Sequence, residues 1–152
     1  MDSLQLAEKI RSLNAEAVVT EGKQFVEIQI PPSGLYRLAR QLKENEDTGF
    51  DFLFCLSGVD YGHDLGVVYH LRSTKYGHSV VLKSRTSDRV DPQLDSVADI
   101  WRTAEFHERE VFDLLGIKFT NHPDLRRFFL PSSAGFPLRK DFVDDINIVT
   151  KK

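Results

Sequence analysis

Three runs in the middle of the chain leave little freedom over how it folds. They are FDFLFCLSGVDY (50–61), GVVYHLRS (66–73) and HSVVLKSR (78–85), rich in aromatic and β-branched residues and separated only by turn-forming pieces such as GHD and TKYG. Connections this short pair neighbouring strands antiparallel, because a parallel return needs a crossover of a dozen or more residues. Gly58, Gly62 and Gly66 fall at turn spacing here and lack the context of a phosphate-cradling loop. Such a sheet needs cover on one face, and the preceding segment can supply it.

That segment reads as two helices around two strands. Ser3 is placed to cap a helix carrying Leu6, Ala7, Ile10 and Leu13 at helical spacing. AVVT and QFVEIQI are strands, the second alternating Val26, Ile28 and Ile30 with Glu27 and Gln29. Ser33 then caps a helix with Leu35, Leu38, Ala39 and Leu42 on one stripe. After the three runs the strand pattern stops. Ser96 followed by Asp99 opens a helix expected over 97–115, broken near Trp101 and stopped by Gly116. Pro123, Pro131 and Pro137 punctuate the remaining residues. The expectation is an α+β fold: an antiparallel sheet with helices packed on one face, then a helix and an extended, proline-punctuated C-terminal tail. The domain comprises residues 1–116 and the docking tail 117–152. A chain of 152 residues suits one such domain.

On a helical wheel Trp101, Ala104, Glu108, Val111, Phe112 and Leu115 fall within roughly a 100° arc. Glu108 is the one carboxylate in an apolar stripe, and an inward charge costs several kcal/mol unless it is paired. Arginine suits the task because its planar fork holds a carboxylate by two bonds. Arg126, Arg127 and Arg139 are the candidates, so the tail is expected to return and clamp the helix. The opposite face carries Arg102, Phe106, Arg109, Glu110 and Asp113, with Glu105–Arg109 and Arg109–Asp113 at ion-pair spacing. Phe106 is a large aromatic among charges. Either a strand or the tail covers it, or it anchors another protein.

Chemistry of other kinds finds little support in the residues. A net charge of −3 and a pI near 5.9 argue against a nucleic-acid partner. No apolar run approaches the roughly 18 residues that span a bilayer, and the opening MDSLQLAEKI lacks the basic and apolar regions of a signal peptide. The chain is expected to be cytosolic, or to reach a membrane only through a partner. A lone Cys55 cannot supply an iron–sulfur cluster, and among aromatics and aliphatics it reads as a buried structural residue. HERE (107–110) resembles the start of the zinc motif H-E-x-x-H, but Val111 replaces the second histidine, so a metal-dependent hydrolase would need His107, Glu108 and a returning His122. A two-carboxylate hydrolase on Glu105 and Glu108 is matched equally by an ion-pair network. His63, His70 and His78 lack ligand spacing.

Taken in order, FHEREVFDLLGIKFTNHPDLRRFFLPSSAGFPLRKDF (106–142) closely resembles the signature of one family of bacterial NADH:quinone oxidoreductase (respiratory complex I), that of its C subunit, called the 30-kilodalton-type subunit in mitochondria. The similarity lies in E-R-E (108–110), Asp113, Gly116-Ile117, HPDLRR and G-x-PLRKD; GVDY (58–61) and VVYHL (67–71) are similar to the family's strand segments. Phe106 stands where the family usually has tryptophan, and DLLG replaces the commoner D-M-[FL]-G. The resemblance implies an accessory subunit of the hydrophilic arm with no cofactor, metal or catalytic residue of its own, supporting electron transfer from NADH to quinone. It implies a peripheral place on the cytoplasmic side of the bacterial inner membrane, beside the quinone-site and iron–sulfur subunits. The same role in a related membrane-bound hydrogenase is the nearest alternative. On this reading Glu108, Arg109, Glu110, Asp113, Arg126, Arg127, Arg139, Lys140 and Asp141 form a structural ion-pair network. Phe106, His122, Pro123, Phe128, Phe129 and Phe136 dock to partners.

Overall fold

The computed structural model describes residues 2–126 and 135–139, so Arg127, Phe128, Phe129, Lys140 and Asp141 lie outside the described residues. Helix α1 (Ser3–Leu13) and strands β1 (Val18–Glu21) and β2 (Val26–Gln29) come first, followed by α2 (Pro32–Glu44). The three central runs become β3 (Phe52–Asp60), β4 (Leu65–Arg72) and β5 (Ser79–Thr86). Strand β6 (Gln93–Asp95), helix α3 (Ala104–Leu115) and strand β7 (Lys118–Thr120) complete the order.

The main sheet runs β1-β2-β5-β4-β3. The pairs β1–β2, β4–β5 and β3–β4 are antiparallel, whereas β2–β5 is parallel. The sheet is thus mixed where an antiparallel one was expected, and connection length explains the difference: α2 and a whole hairpin intervene between β2 and β5. A second departure lies beyond residue 87. Strands β6 and β7 pair in parallel on either side of α3, and Ile117 and Phe119 are buried. The packed body therefore runs past the expected boundary at 116.

One sheet face presents Val26, Ile28, Val67, Tyr69, Leu71, Val80 and Leu82 to Leu6 and Ile10 of α1 and to Leu35, Leu38 and Leu42 of α2, all buried. On the same face α3 crosses β3 at Gly58, where an added Cβ would lie 2.4 Å from Leu115 Cδ1 and 2.9 Å from Val111 Cγ1. Only hydrogen fits there. The other face carries the exposed Phe52 and Phe54. Half-buried Cys55 follows a register shift in β3, its Sγ 3.5 Å from Ser57 Oγ, so it is less enclosed than its apolar neighbours suggested.

Helix ends also differ from the expected caps. Asp2, rather than Ser3, caps α1: its carboxylate accepts the Gln5 N–H at 2.9 Å while Gln5 Oε1 accepts the Asp2 N–H at 3.2 Å. Gln5 at the third helical position makes this reciprocal box possible, and a Ser3 cap would have put Leu6 there. Pro31 precedes α2 and Pro32 opens it without a side-chain cap bond, consistent with proline's fixed φ and missing donor. The helix expected over 97–115 is a turn at 97–101 followed by α3. Ile100 and Trp101 amides donate to the Val97 carbonyl. Trp101 Nε1 and Thr103 Oγ1 then donate to Phe50 and Leu53 carbonyls at 2.9 and 3.0 Å, pinning the break to β3. Gly116 ends α3 in the left-handed region, φ 77°, where it costs least.

Gly58→Val should lower the unfolding free energy by about 2–3 kcal/mol through overpacking against Val111 and Leu115, as measured by urea denaturation. An unchanged midpoint would show that α3 does not bear on β3 at this point.

Candidate functional site: the buried carboxylate of α3 and the segment beyond it

Helical periodicity turns Glu108 inward, and its side chain is fully buried. The partners are not the ones expected. Ser96 Oγ donates to Oε1 at 2.6 Å and the Val97 N–H donates to Oε2 at 3.0 Å. The carboxylate thus caps the 97–101 turn from across α3, and Ser96 Oγ also accepts the Ala98 N–H at 3.1 Å. His122 Nε2 lies 3.9 Å from Oε1. That ring is committed elsewhere: Nδ1 accepts the Asp124 N–H at 2.9 Å, so Nε2 carries the proton and donates to the Glu105 carbonyl at 2.9 Å. The contact joins a carboxyl to a neutral imidazole. Burial pushes the Glu108 carboxyl up to about 7, against the Ser96 and Val97 bonds that pull it down, with Asp99 adding to the rise. Tyr69, buried on β4, has its hydroxyl held well above its usual range by burial first, then by Glu108 and Asp95.

The arginines serve a different purpose from the one expected. Arg126 is exposed and pairs with neighbouring Asp124 at 3.1 Å. Arg139 Nε donates to the Leu115 carbonyl at 2.6 Å, Nη1 donates to the Arg89 carbonyl at 3.0 Å, and the guanidinium lies 5.1 Å from the Phe136 ring centre. A cation at the C-terminus of α3 meets carbonyls the helix cannot satisfy itself, at the negative end of its dipole. Arg89 in turn grips Asp60 with both Nη atoms, at 2.7 and 2.9 Å, and the Asp60 side chain is 3% exposed. Segment 135–139, the 87–92 loop and the end of β3 are tied together by this relay. No guanidinium among the described residues reaches Glu108, whose oxygens take one neutral donor each.

Arg109 and Asp113, placed by the wheel on the polar face, are buried, while Glu110 is exposed. Arg102, Phe106 and Glu110 of the same face stay exposed, and segment 135–139 packs at the end of α3: the Leu138 N–H donates to the Leu114 carbonyl at 3.0 Å, and Phe136 tilts against Phe112 at 6.3 Å. Gly116 lies under this segment, with Phe136 and Arg139 atoms at 2.7–2.9 Å from where a Cβ would stand. Phe106 remains 60% exposed and Pro123 is exposed. His107, Glu108 and His122 do not converge as metal ligands, since both His122 nitrogens bond protein atoms. Asp60, Arg89 and Tyr69 were not singled out from sequence. A capping serine was recognised at Ser96, but its bond to a carboxylate 12 residues on has no local signature, nor does an Asp60–Arg89 pair 29 residues apart.

Residues 28–146 match the family described as respiratory-chain NADH dehydrogenase, 30 Kd subunit. A protein of Phocaeicola vulgatus, named as the C/D subunit of NADH-quinone oxidoreductase, is 47% identical over 122 residues, covering 79% of this chain and 23% of that protein. A protein of Moorella thermoacetica, named as the C subunit of NADH-quinone oxidoreductase, is 38% identical over 138 residues, covering 89% of this chain and 91% of that one. The chain thus spans 23–24% of the length of the C/D relatives it matches. In the structure of the membrane-bound sulfane sulfur reductase, an archaeal respiratory membrane complex, one chain superposes with a TM-score of 0.79 at 24% identity, covering 91% of this chain and 84% of that one. That likeness establishes the fold.

Glu108→Ala should cost about 3 kcal/mol, because it leaves the Ser96 hydroxyl and Val97 amide buried without an acceptor. Glu105→Ala, which retains the backbone carbonyl that His122 uses, should cost under about 0.5 kcal/mol. Chemical denaturation of the two variants reads the difference, and equal losses would contradict the capping role.

Proposed function

This chain belongs to the family of the respiratory-chain NADH dehydrogenase 30 Kd subunit, and on that premise we propose that it is a non-catalytic assembly subunit in the hydrophilic arm of a proton-translocating NADH:quinone oxidoreductase. The family match over residues 28–146 carries the reading. The relatives' names favour this complex over a related membrane-bound hydrogenase. Its charged motif supports the same conclusion from the physics. Glu108 caps a turn, Arg139 caps a helix and Asp60 holds a loop, so the conspicuous ionisable groups are spent on shape. Among the described residues no helix is long and apolar enough to cross a membrane, so membrane association comes through partner subunits.

The partners in this proposal are the quinone-site and iron–sulfur subunits, with the chain on the cytoplasmic side of the inner membrane. Phe106 is the best-supported anchor: a phenylalanine 60% exposed on a helix that buries Ala104, Glu108, Arg109, Val111, Asp113 and Leu115. Exposed aromatics of this kind are favoured at interfaces. His122, followed by Pro123, meets α3 near Glu105 and Phe136 meets it near Gly116, and with Phe128, Phe129, Arg127, Lys140 and Asp141 they make up the docking tail in this reading.

Affinity capture from native membranes, with partners identified by mass, should recover the chain together with the quinone-site and iron–sulfur subunits; recovery of the chain alone would count against the assignment. Phe106→Ser should change the unfolding free energy by no more than about 0.5 kcal/mol and still reduce recovery of the partners severalfold. Undiminished recovery would remove Phe106 from the interface.

A further inference from the structure

The pocket around Glu108 holds a carboxyl group with no countercharge among the described residues. His122, from the segment after β7, is the neutral Nε2–H tautomer. Tyr69 faces the same interior from β4, its hydroxyl buried without a hydrogen-bond partner among the described residues. Asp95 of β6 accepts the Thr120 hydroxyl at 2.7 Å, and Asp99 of the turn accepts the Tyr36 hydroxyl at 2.5 Å. Along α3, Arg109 is turned about 100° and Asp113 about 140° away from Glu108, and Asp99 is the charge that bears on it. Every described titratable neighbour in contact is neutral or acidic.

The ring of contacts nonetheless suits both protonation states. When Glu108 is ionised, the Ser96 hydroxyl donates to Oε1; when Oε1 carries a proton, that proton can be donated to Ser96 Oγ, because a hydroxyl is both donor and acceptor. The 2.6 Å contact survives either way. The Val97 N–H bonds Oε2 in both states.

We propose that Glu108 is a proton-operated latch: with the carboxyl protonated, the junction of α3, the 96–97 turn and the 121–126 segment that carries His122 is closed, and release of that proton to water loosens the junction. Three elements meet at this one side chain, so its charge state biases all three together. Linkage sets the sign. The closed state binds the proton more tightly than the open one, so the stabilisation is complete below the ordinary value of 4.5 and is lost as pH rises to about 7. The latch does not depend on membership of the respiratory complex and is tested on the isolated 152-residue chain.

The test tracks the ¹³C signal of the Glu108 side-chain carboxyl from pH 4 to 9, assigned through bonds so that no variant is needed. Amide exchange at Val97 and Lys118–Thr120, corrected for intrinsic rates, is measured over the same range. The expected result is a midpoint near 7, with protection at Val97 at least about tenfold greater at pH 5 than at pH 7.5. Ser96→Ala, which removes the donor to the ionised form, should move the midpoint upward. Glu108→Gln should make the protection independent of pH, since its amide oxygen can still accept the Val97 N–H. A midpoint within the ordinary carboxylate range, or the same pH profile in Glu108→Gln, would overturn the proposal.

Discussion

A desolvated carboxyl group bonded only by neutral partners organises the C-terminal half of this molecule. Glu108 lies at the centre of an apolar stripe, yet its two oxygens take a hydroxyl and a backbone amide from residues 96 and 97. The turn at 97–101 would otherwise leave its first amide buried and unsatisfied. Holding that turn fixes where β6 ends and where α3 begins. It also sets the position at which β7 can return beside β6. The tie thus supports a small β-α-β unit whose strands are too short to stand alone.

The arginines of the region follow the same logic of local need. Opposite charge suggested that they would seek Glu108. The helix C-terminus competes for them, because its last carbonyls have no partner within the helix. Arg139 meets one of these and reaches the loop that holds Arg89, which grips the buried Asp60. A motif dense in charge therefore resolves into separate structural ties. That division of labour explains how a chain can carry HERE without metal-binding geometry at those positions.

What could be read from the residues depended on range. Periodicity turned Glu108 inward and aligned the stripes of α1 and α2, because helical spacing is local information. The three central strands were equally legible from composition and turn spacing. Partners across the chain were not: Ser96 with Glu108, Asp60 with Arg89 and Trp101 with the Phe50 carbonyl are chosen by the assembled fold. Three-residue strands such as β6 and β7 fall below any recognisable alternation. The parallel β2–β5 junction was hidden because only the short connections announce their geometry. The burial of Arg109 and Asp113 was not legible, because a wheel marks faces and cannot say how many neighbours a helix has.

Strand β3 lies at the outer edge of the main sheet and begins in a stretch, FDFLFCL, of high β-propensity. A flat, exposed edge of that composition invites pairing with another copy and growth into aggregates. The register shift between Leu53 and Cys55 bends the strand out of flatness, and the Thr103 hydroxyl already occupies the Leu53 carbonyl. The irregularity that spoils the regular alternation of β3 therefore also makes this edge a poorer template for another strand.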